Sequence, residues 1–346
     1  MTELPKMLVV LGAPDAMAAT TARERRGNLR LAGNSGLISA LVKTLRAREI
    51  PHALVIAWPE GETDGQSLRE STGAEVLVNG IGEPLTQAGA LRQVARLEQE
   101  TGLPTINPSR VIATTARPAM ARRVGRAEGV RAPHCTLYEA GTGTLVEHIR
   151  DEGHRYPVLL RPAGSHGSTG LVRAGDDTDA VAAARALGTC TVTDFVDFRS
   201  DDGLWRKYRM VYAGGTLFRR HLLIDQQWNV VGDSRFFMHE RGLLGEEREW
   251  LNRPVAPEAG SIEARVLEQF EAIELDFGVI DYAVAPDDEI VIFELNACVQ
   301  LTGSIPEEYR SQIGYLEDNN DDILDALLER VRSRAAAGPP GVTAAT

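Results

Sequence analysis

The sequence predicts an α/β protein whose second half turns to antiparallel, α+β construction. Three features carry that prediction. Apolar strand runs alternate with amphipathic helices over about the first hundred residues, two hairpins (205–225 and 279–296) fill the second half, and a glycine-rich loop at 164–170 joins two strands between them. At 346 residues the chain is too long for one small core and calls for two or three domains. Charged residues at 25% and hydrophobic ones at 43% are ordinary globular values.

The run MLVVL, Met7 to Leu11, is a buried-strand signal ending in Gly12-Ala13-Pro14. Gly36 to Arg48 sets Leu37, Ile38, Leu41 and Leu45 on one helical stripe, and His52 to Trp58 returns as a strand. Ala74 to Val78 is a third strand. Ala88 to Glu100 is a helix with Leu91, Val94, Ala95 and Leu97 inward, and Leu103 to Asn107 is a fourth strand. This alternation predicts a parallel sheet of Rossmann type. The turn GAPDAM after the first strand lacks the G-x-G-x-x-G spacing, which argues against direct NAD or FAD binding.

Asn107-Pro108 opens a linker. Arg110 to Glu128 reads as a helix bearing Arg117, Arg122, Arg123 and Arg126, mostly a solvated face. A short strand follows around Val130 to Tyr138, then an acidic helix near Thr144 to Glu152. In YPVLLRPAGSHGSTGLVRAGD, Tyr156 to Asp176, the strand Val158 to Leu160 delivers Arg161, and a loop with Gly164, Gly167 and Gly170 leads to a return strand at Leu171-Val172. Glycines let backbone N–H groups approach phosphate oxygens closely, and such a loop can close as a lid. A helix at Ala180 to Leu187 precedes a strand, Thr191 to Phe195, which leads into Asp197, Asp201 and Asp202.

Trp205 to Asp225 forms a hairpin turning at Gly214-Gly215. Alternation puts Lys207 and Arg209 on one face, Arg206 and Tyr208 on the other, and parts Arg219 from Arg220. Ile262 to Ile273 is a helix with Ile262, Val266, Phe270 and Ile273 on one stripe, packing behind the second hairpin. Asp321 to Arg334 is a last helix, and 335–346 is a tail expected to be disordered.

The second hairpin, VIDYAVAPDDEIVIFELN, is the most informative stretch. Pro286-Asp287-Asp288 breaks two strand runs, so Asp281 sits on the first strand, with Glu294 and Asn296 two apart on the second. If the strands pair, three oxygen-bearing side chains converge on one face. Carboxylates and an amide carbonyl are hard ligands suited to Mg2+ rather than zinc. A plain surface hairpin with acids facing water is the alternative. Against it, Glu294 interrupts an apolar strand, where a buried carboxylate needs a cation or a donor. A basic row on the same sheet face would be costly without an anion between the cations.

A net charge of -12 excludes a general nucleic-acid binder, which needs a positive field. The first residues, MTELPKMLVVLGAP, hold an apolar run too short for a membrane span and no signal-peptide pattern, so a cytoplasmic protein is expected. Cys135, Cys190 and Cys298 are odd in number and widely spaced, which fits reduced thiols.

The order of these parts resembles the ATP-grasp superfamily over about residues 5–332, with most similarity to carboxylate-amine ligases of the glutathione synthetase and D-alanine ligase kind. The resemblance implies an ATP-grasp architecture: a Rossmann-like N-terminal domain at 1–108, a central lid subdomain at 109–196, and a C-terminal antiparallel-sheet subdomain with the Mg site at 197–334. It implies ATP and Mg2+ (or Mn2+), the metal held by Asp281, Glu294 and Asn296. Arg117 and Arg161 stand where lysines usually touch the nucleotide phosphates, a change that keeps charge but replaces a point charge with a planar fork. Ser165, His166, Gly167, Ser168 and Thr169 fall in the lid over the phosphates, although His166 is foreign to the pattern. Thr193, Asp194, Phe195 and Val196 match the hinge that reads the adenine edge, and Asp202 falls near the acidic position beside the ribose or substrate, with Asp197 and Asp201 competing for it. Arg209 and Arg220 correspond to the catalytic cations at the reacting phosphate and carboxylate.

The implied activity is phosphorylation of a small-molecule carboxylate by ATP, then attack of an amine on the acylphosphate, releasing ADP and phosphate. The substrate is an amino acid or small peptide, and the segment Gln300 to Tyr309 helps build its pocket. No nucleic acid or membrane partner is expected, and a homodimer is a family-level expectation. Three other readings stay open: a peptide-modifying, macrocyclising ligase; a small-molecule kinase; and a nucleotide-binding protein without turnover, which the two arginines for lysines would favour.

Overall fold

The computed structural model describes residues 4–16, 33–61, 63–124, 128–301, 305 and 307–338. A four-stranded parallel sheet forms first, from β1 (Met7–Gly12), β2 (His52–Ala57), β3 (Val76–Asn79) and β4 (Thr105–Ile106) in the order β2-β1-β3-β4. Helices α1 (Gly36–Ala47) and α3 (Ala88–Thr101) cover it with Leu37, Ile38, Leu41, Leu45, Val94 and Leu97 buried, as their stripes require. Between them lies a short helix that periodicity alone does not reveal, α2 (Gly65–Thr72). Asp64 caps its N-terminus by accepting the Ser67 N–H, and Gly73 ends it in a left-handed conformation.

The helix expected over 110–128 is broken. Ser109–Ile112 (α4) and Arg117–Arg123 (α5) are separate turns with extended backbone at Ala116, and residues 125–127, including Arg126, lie outside the described residues. Pro118 is the physical reason: it has no N–H for the Thr114 carbonyl and fits only in the first turn of a new helix. Pro133 has the same effect on the strand expected over 130–138, dividing it into β5 (Val130–Arg131) and β6 (Cys135–Tyr138), which join different sheets.

The second sheet is antiparallel, in the order β6-β9-β7-β8, with β7 (Val158–Pro162), β8 (Val172–Ala174) and β9 (Cys190–Asp194). Helices α6 (Leu145–Asp151), which carries a Thr144/Glu147 capping box, and α7 (Asp177–Leu187) back it, and it keeps a hydrophobic core of its own around Ile149, Val158, Leu160 and Val192. The third sheet runs β11-β10-β12-β13-β5, from β10 (Trp205–Ala213), β11 (Thr216–Asp225), β12 (Phe277–Val284) and β13 (Ile290–Asn296). It shares one continuous core with the parallel sheet, whereas the smaller sheet keeps a separate one.

Two short helices that sequence patterning missed, α8 (Ser234–Glu240) and α9 (Leu244–Asn252), pack on β11. Helix α10 (Ile262–Ile273) packs behind the hairpin as expected, with Phe270 stacked on Tyr212. A short helix, α11 (Glu307–Ile313), precedes α12 (Asn320–Ala336), so Ala335 and Ala336 of the expected tail complete the last helix while 339–346 lie outside the described residues. Buried Asp276, just before β12, accepts hydrogen bonds from Arg330 of α12 (2.7 Å), from Arg334 and from the Asn107 N–H (2.7 Å), tying the C-terminal helix to both sheets. Among the described residues no helix is long and apolar enough to cross a membrane.

Candidate functional site

A cleft opens between the small antiparallel sheet and the five-stranded sheet. Leu159, Leu171 and Val196 line it from one side, and Phe198, Trp228 and Phe293 from the other, giving a flat apolar slot. At its far end the lining changes to Arg117, Arg161, Lys207, Asp281 and Glu294. A slot that is greasy at one end and strongly charged at the other suits a ligand with an aromatic base and an anionic tail.

The charged end is built by strand register. Asp281 of β12 lies directly opposite Glu294 of β13 and opposite Arg209 of β10, and Arg209 in turn faces His221 of β11. Cross-strand partners share a face, so four ionisable side chains form one row across the sheet. Arg209 grips Asp281 through both nitrogens of its fork, one bond at 2.7 Å, and Asp281 outweighs the effect of burial to hold the guanidinium well above its usual range. Glu294 accepts from Arg117 at 2.7 Å and from the Asn296 amide at 2.6 Å. Burial alone would raise the Glu294 carboxyl, but Arg117, His166 and Arg161 overcome it and keep it well below the usual carboxylate range. The Asn296 oxygen accepts the Cys298 N–H at 2.8 Å, so this amide braces Glu294. Among the described residues no group of three His, Cys, Asp or Glu is arranged to hold a metal; the hard-oxygen set here is two carboxylates and an amide.

Among the described residues, two cations at this end lack a carboxylate bonded to them. Among the described residues the Arg161 side chain reaches only the Ser165 carbonyl, at 3.5 Å, and burial, then neighbouring Arg117, pull its pKa down to about 10. Lys207 donates to the Val230 carbonyl at 2.5 Å, and burial lowers it as well. Counting Arg117, Arg161, Lys207, Arg209 and a charged His166 against Asp281, Glu294 and Glu83 leaves two positive charges over. Such a surplus out of water is costly until an anion enters.

The glycine loop closes over this end. Its backbone is left-handed at Gly164, Gly167, Ser168 and Gly170. The Ser165 carbonyl accepts from Arg117 at 3.2 Å, and Ser168 lines the cleft. Thr169 N–H bonds back to the His166 carbonyl, so Gly167 and Thr169 belong to a tight self-turn. Gly164 lies against Thr86 of the parallel-sheet domain so closely that a Cβ would stand 2.3 Å from Thr86 Cγ2. Beside it, His166 places Nε2 3.2 Å from a Glu83 carboxylate oxygen and Nδ1 3.3 Å from one of Glu294. Burial would lower its pKa, but the two carboxylates prevail and bring it to about 9. Glu83 is buried, and Gly82 before it packs on Cys298, whose thiol burial pushes to about 11.

At the base end, the hinge Thr193 to Val196 lines the slot. Asp194 N–H donates to the His134 carbonyl and Phe195 N–H to the Pro157 carbonyl, while the Asp194 carboxylate meets buried His154 at 2.7 Å. Two other sequence candidates lie elsewhere. Asp202 does not line the cleft and is paired with Arg206 at 2.8 Å. Arg220 is directed to the C-terminal segment, donating to the Leu316 carbonyl at 3.0 Å and to Asn319 and Asn320. The register shift between Arg209 and Met210 explains this, because a bulge breaks the alternation that pairs Arg220 with the site face. Sequence reading missed Glu83, Lys207 and the apolar walls; Lys207 was signalled by its shared face with Arg209, whereas Glu83 carried no local signal. Of the expected substrate segment, 302–304 and 306 lie outside the described residues.

No protein-family model matches the sequence, and no curated protein matches it. Solved structures do. The chain is similar to VanG D-Ala:D-Ser ligase from Enterococcus faecalis, with a TM-score of 0.55 and 11% identity over 95% of this chain and 100% of that one. D-alanine–D-alanine ligase from Bacillus anthracis complexed with ATP gives 0.52 and 11%, over 96% and 100%. A RimK domain ATP-grasp protein from Sphaerobacter thermophilus gives 0.50 and 17%, over 93% and 99%. The fold is therefore that of the ATP-grasp ligases over nearly the full chain.

Proposed function

We propose that the cleft binds ATP together with Mg2+ or Mn2+ and that the protein is a carboxylate-amine ligase releasing ADP and phosphate, acting on an amino acid or small peptide. The observation that carries this reading is one juxtaposition: Asp281 and Glu294, in register on adjacent strands, share the end of an apolar slot with Arg117, Arg161 and Lys207. The base would lie between Leu159, Val196 and Trp228, the edge of its ring along Thr193 to Val196, and the triphosphate would meet the two surplus positive charges.

The donor chemistry fits a hard dication: Asp281 and Glu294 would hold it, with Asn296 bracing Glu294. When bound it neutralises phosphate oxygens. The protein's own part is positioning and charge. Arg117 and Arg161 hold the phosphates, the 165–169 loop excludes water, and Arg209 faces the reacting carboxylate. That carboxylate oxygen attacks the γ-phosphorus as the bond to the β-phosphate oxygen breaks, giving ADP. An amine nitrogen then attacks the acyl carbon, phosphate departs with the C–O bonding pair, and the amine proton passes to phosphate or water.

Purified protein given ATP, Mg2+ and a mixture of amino acids should release ADP and phosphate. Release of AMP and pyrophosphate would reject the mechanism, and a stable phosphorylated product formed without an amine would make the protein a kinase.

A further inference from the structure

We propose that His154 is a positioning residue for the nucleotide hinge: with Thr136 and His148 behind it, it braces Asp194 and so sets the backbone edge that selects adenine over guanine. The inference rests on the nucleotide reading above and adds a side chain that lies behind the slot and does not line it.

Three hydrogen bonds in series carry it. His154 Nδ1 meets Asp194 Oδ1 at 2.7 Å. His154 Nε2 lies 2.8 Å from Thr136 Oγ1, and that same oxygen lies 2.8 Å from His148 Nε2. A carboxylate only accepts, so Nδ1 carries a proton whatever the charge of the ring. In the neutral ring, which burial favours, Nε2 is the acceptor: the Thr136 hydroxyl donates to it, and the Thr136 oxygen accepts the His148 N–H. The His154 side chain is wholly withdrawn from water, and turning the ring over would put carbons where both nitrogens now bond. Helix α6, through His148, and strand β6, through Thr136, are thereby tied to Asp194, the last residue of β9.

What the brace governs is the pair of residues that follows. Asp194 N–H and Phe195 N–H are taken by the His134 and Pro157 carbonyls. The Phe195 carbonyl and the Val196 N–H have no partner among the described residues, and both residues line the apolar slot. A carbonyl followed by an N–H presents an acceptor and then a donor. Adenine offers an amino donor where guanine offers a carbonyl oxygen, so this edge pairs with adenine and sets acceptor against acceptor with guanine. The edge lies just beyond the strand ladder, and the anchor one residue before it resists a peptide flip that would admit guanine.

Isothermal titration of the full chain with ATP and with GTP, each with Mg2+, tests this. His154→Phe keeps a ring and removes both nitrogens; ATP should bind about tenfold more weakly, and the ratio of ATP to GTP affinity should fall by a similar factor. His154→Asn, whose amide N–H takes the place of Nδ1, should recover most of the ratio, and Thr136→Val, which leaves His154 present, should shift it in the same direction as His154→Phe. In the empty protein, hydrogen exchange over 194–196 should quicken in His154→Phe and in Thr136→Val. GTP bound as tightly as ATP by the native protein, a ratio unchanged in both variants, or His154→Asn no better than His154→Phe overturns the brace and leaves the nucleotide cleft standing. Native protein that binds neither nucleotide overturns the nucleotide reading and the brace with it. Unchanged exchange in both variants overturns the brace without reference to any nucleotide.

Discussion

Arg161 offers a perturbation with two opposite consequences. Its guanidinium lies at the charged end of the cleft with one long contact, 3.5 Å to the Ser165 carbonyl, and beside another cation, Arg117. Burial and that neighbour bring its pKa down to about 10, a displacement equivalent to on the order of 3 kcal/mol against the charged form. Arg161→Met keeps the aliphatic volume and removes the charge. The empty protein should therefore become more stable by roughly 1–3 kcal/mol, part of the penalty being returned as lost packing, which for a chain of this size raises Tm by a few degrees. Nucleotide binding should weaken, because a charge-assisted hydrogen bond to phosphate is worth about 1.5–3 kcal/mol, or about 10- to 100-fold in Kd. Differential scanning calorimetry of the empty protein and isothermal titration with ATP measure the two effects. A fall in Tm together with unchanged ATP affinity would refute the reasoning, since Arg161 would then be a structural cation already satisfied.

Other perturbations test separate parts of the site. Glu294→Gln should lower ADP release about 100- to 1,000-fold while ATP still binds in titration, because it removes charge at the reacting end and leaves the slot intact; loss of ATP binding instead would mean that Glu294 supports the cleft itself. Gly164→Ala puts a Cβ 2.3 Å from Thr86 Cγ2 at a left-handed position, so KM for ATP should rise, and Thr86→Ala in the same chain should restore part of it. Asp276→Ala leaves Arg330 and Arg334 without their buried carboxylate and should cost about 3–5 kcal/mol in urea unfolding. Two histidines set an acid limit: burial lowers His154 despite Asp194, and burial plus Arg209, Arg235, Lys207 and Arg220 hold His221 well below 6.5. Above the unfolded value, about 6.5, both are neutral in either state; as pH falls below it the unfolded chain takes protons first, so Tm should drop from that point and His221→Gln should flatten the slope.

The parts of the site legible in the sequence are those written in local pattern. The break at Pro286-Asp287-Asp288 marks the hairpin and alternation puts Glu294 and Asn296 on one face, whereas the pairing of Asp281 with Glu294 needs the register shift at Asp281/Tyr282, without which Phe293 would stand opposite Asp281. Glycines at 164, 167 and 170 mark the loop because each takes a left-handed conformation that other residues resist. What stayed hidden is non-local. Glu83 meets His166 across two domains, with nothing in the run from Gly80 to Gln87 to announce it. Arg220 leaves the site face through a bulge, and bulges have no signature in a two-residue period. Helices α2, α8 and α9 are too short for a periodic stripe to emerge; α2 is held by its caps at Asp64 and Gly73, and α8 and α9 by packing on β11.

All of the chemistry depends on a nucleotide and a dication meeting in one cleft. Anomalous scattering from Mn2+ in crystals grown with a non-hydrolysable ATP analogue addresses that most directly. One Mn2+ peak is predicted between Asp281 and Glu294, with the phosphates beside Arg117 and Arg161 and the base against Val196 and Trp228. A nucleotide bound outside the slot, or Mn2+ located away from both carboxylates, would contradict the account.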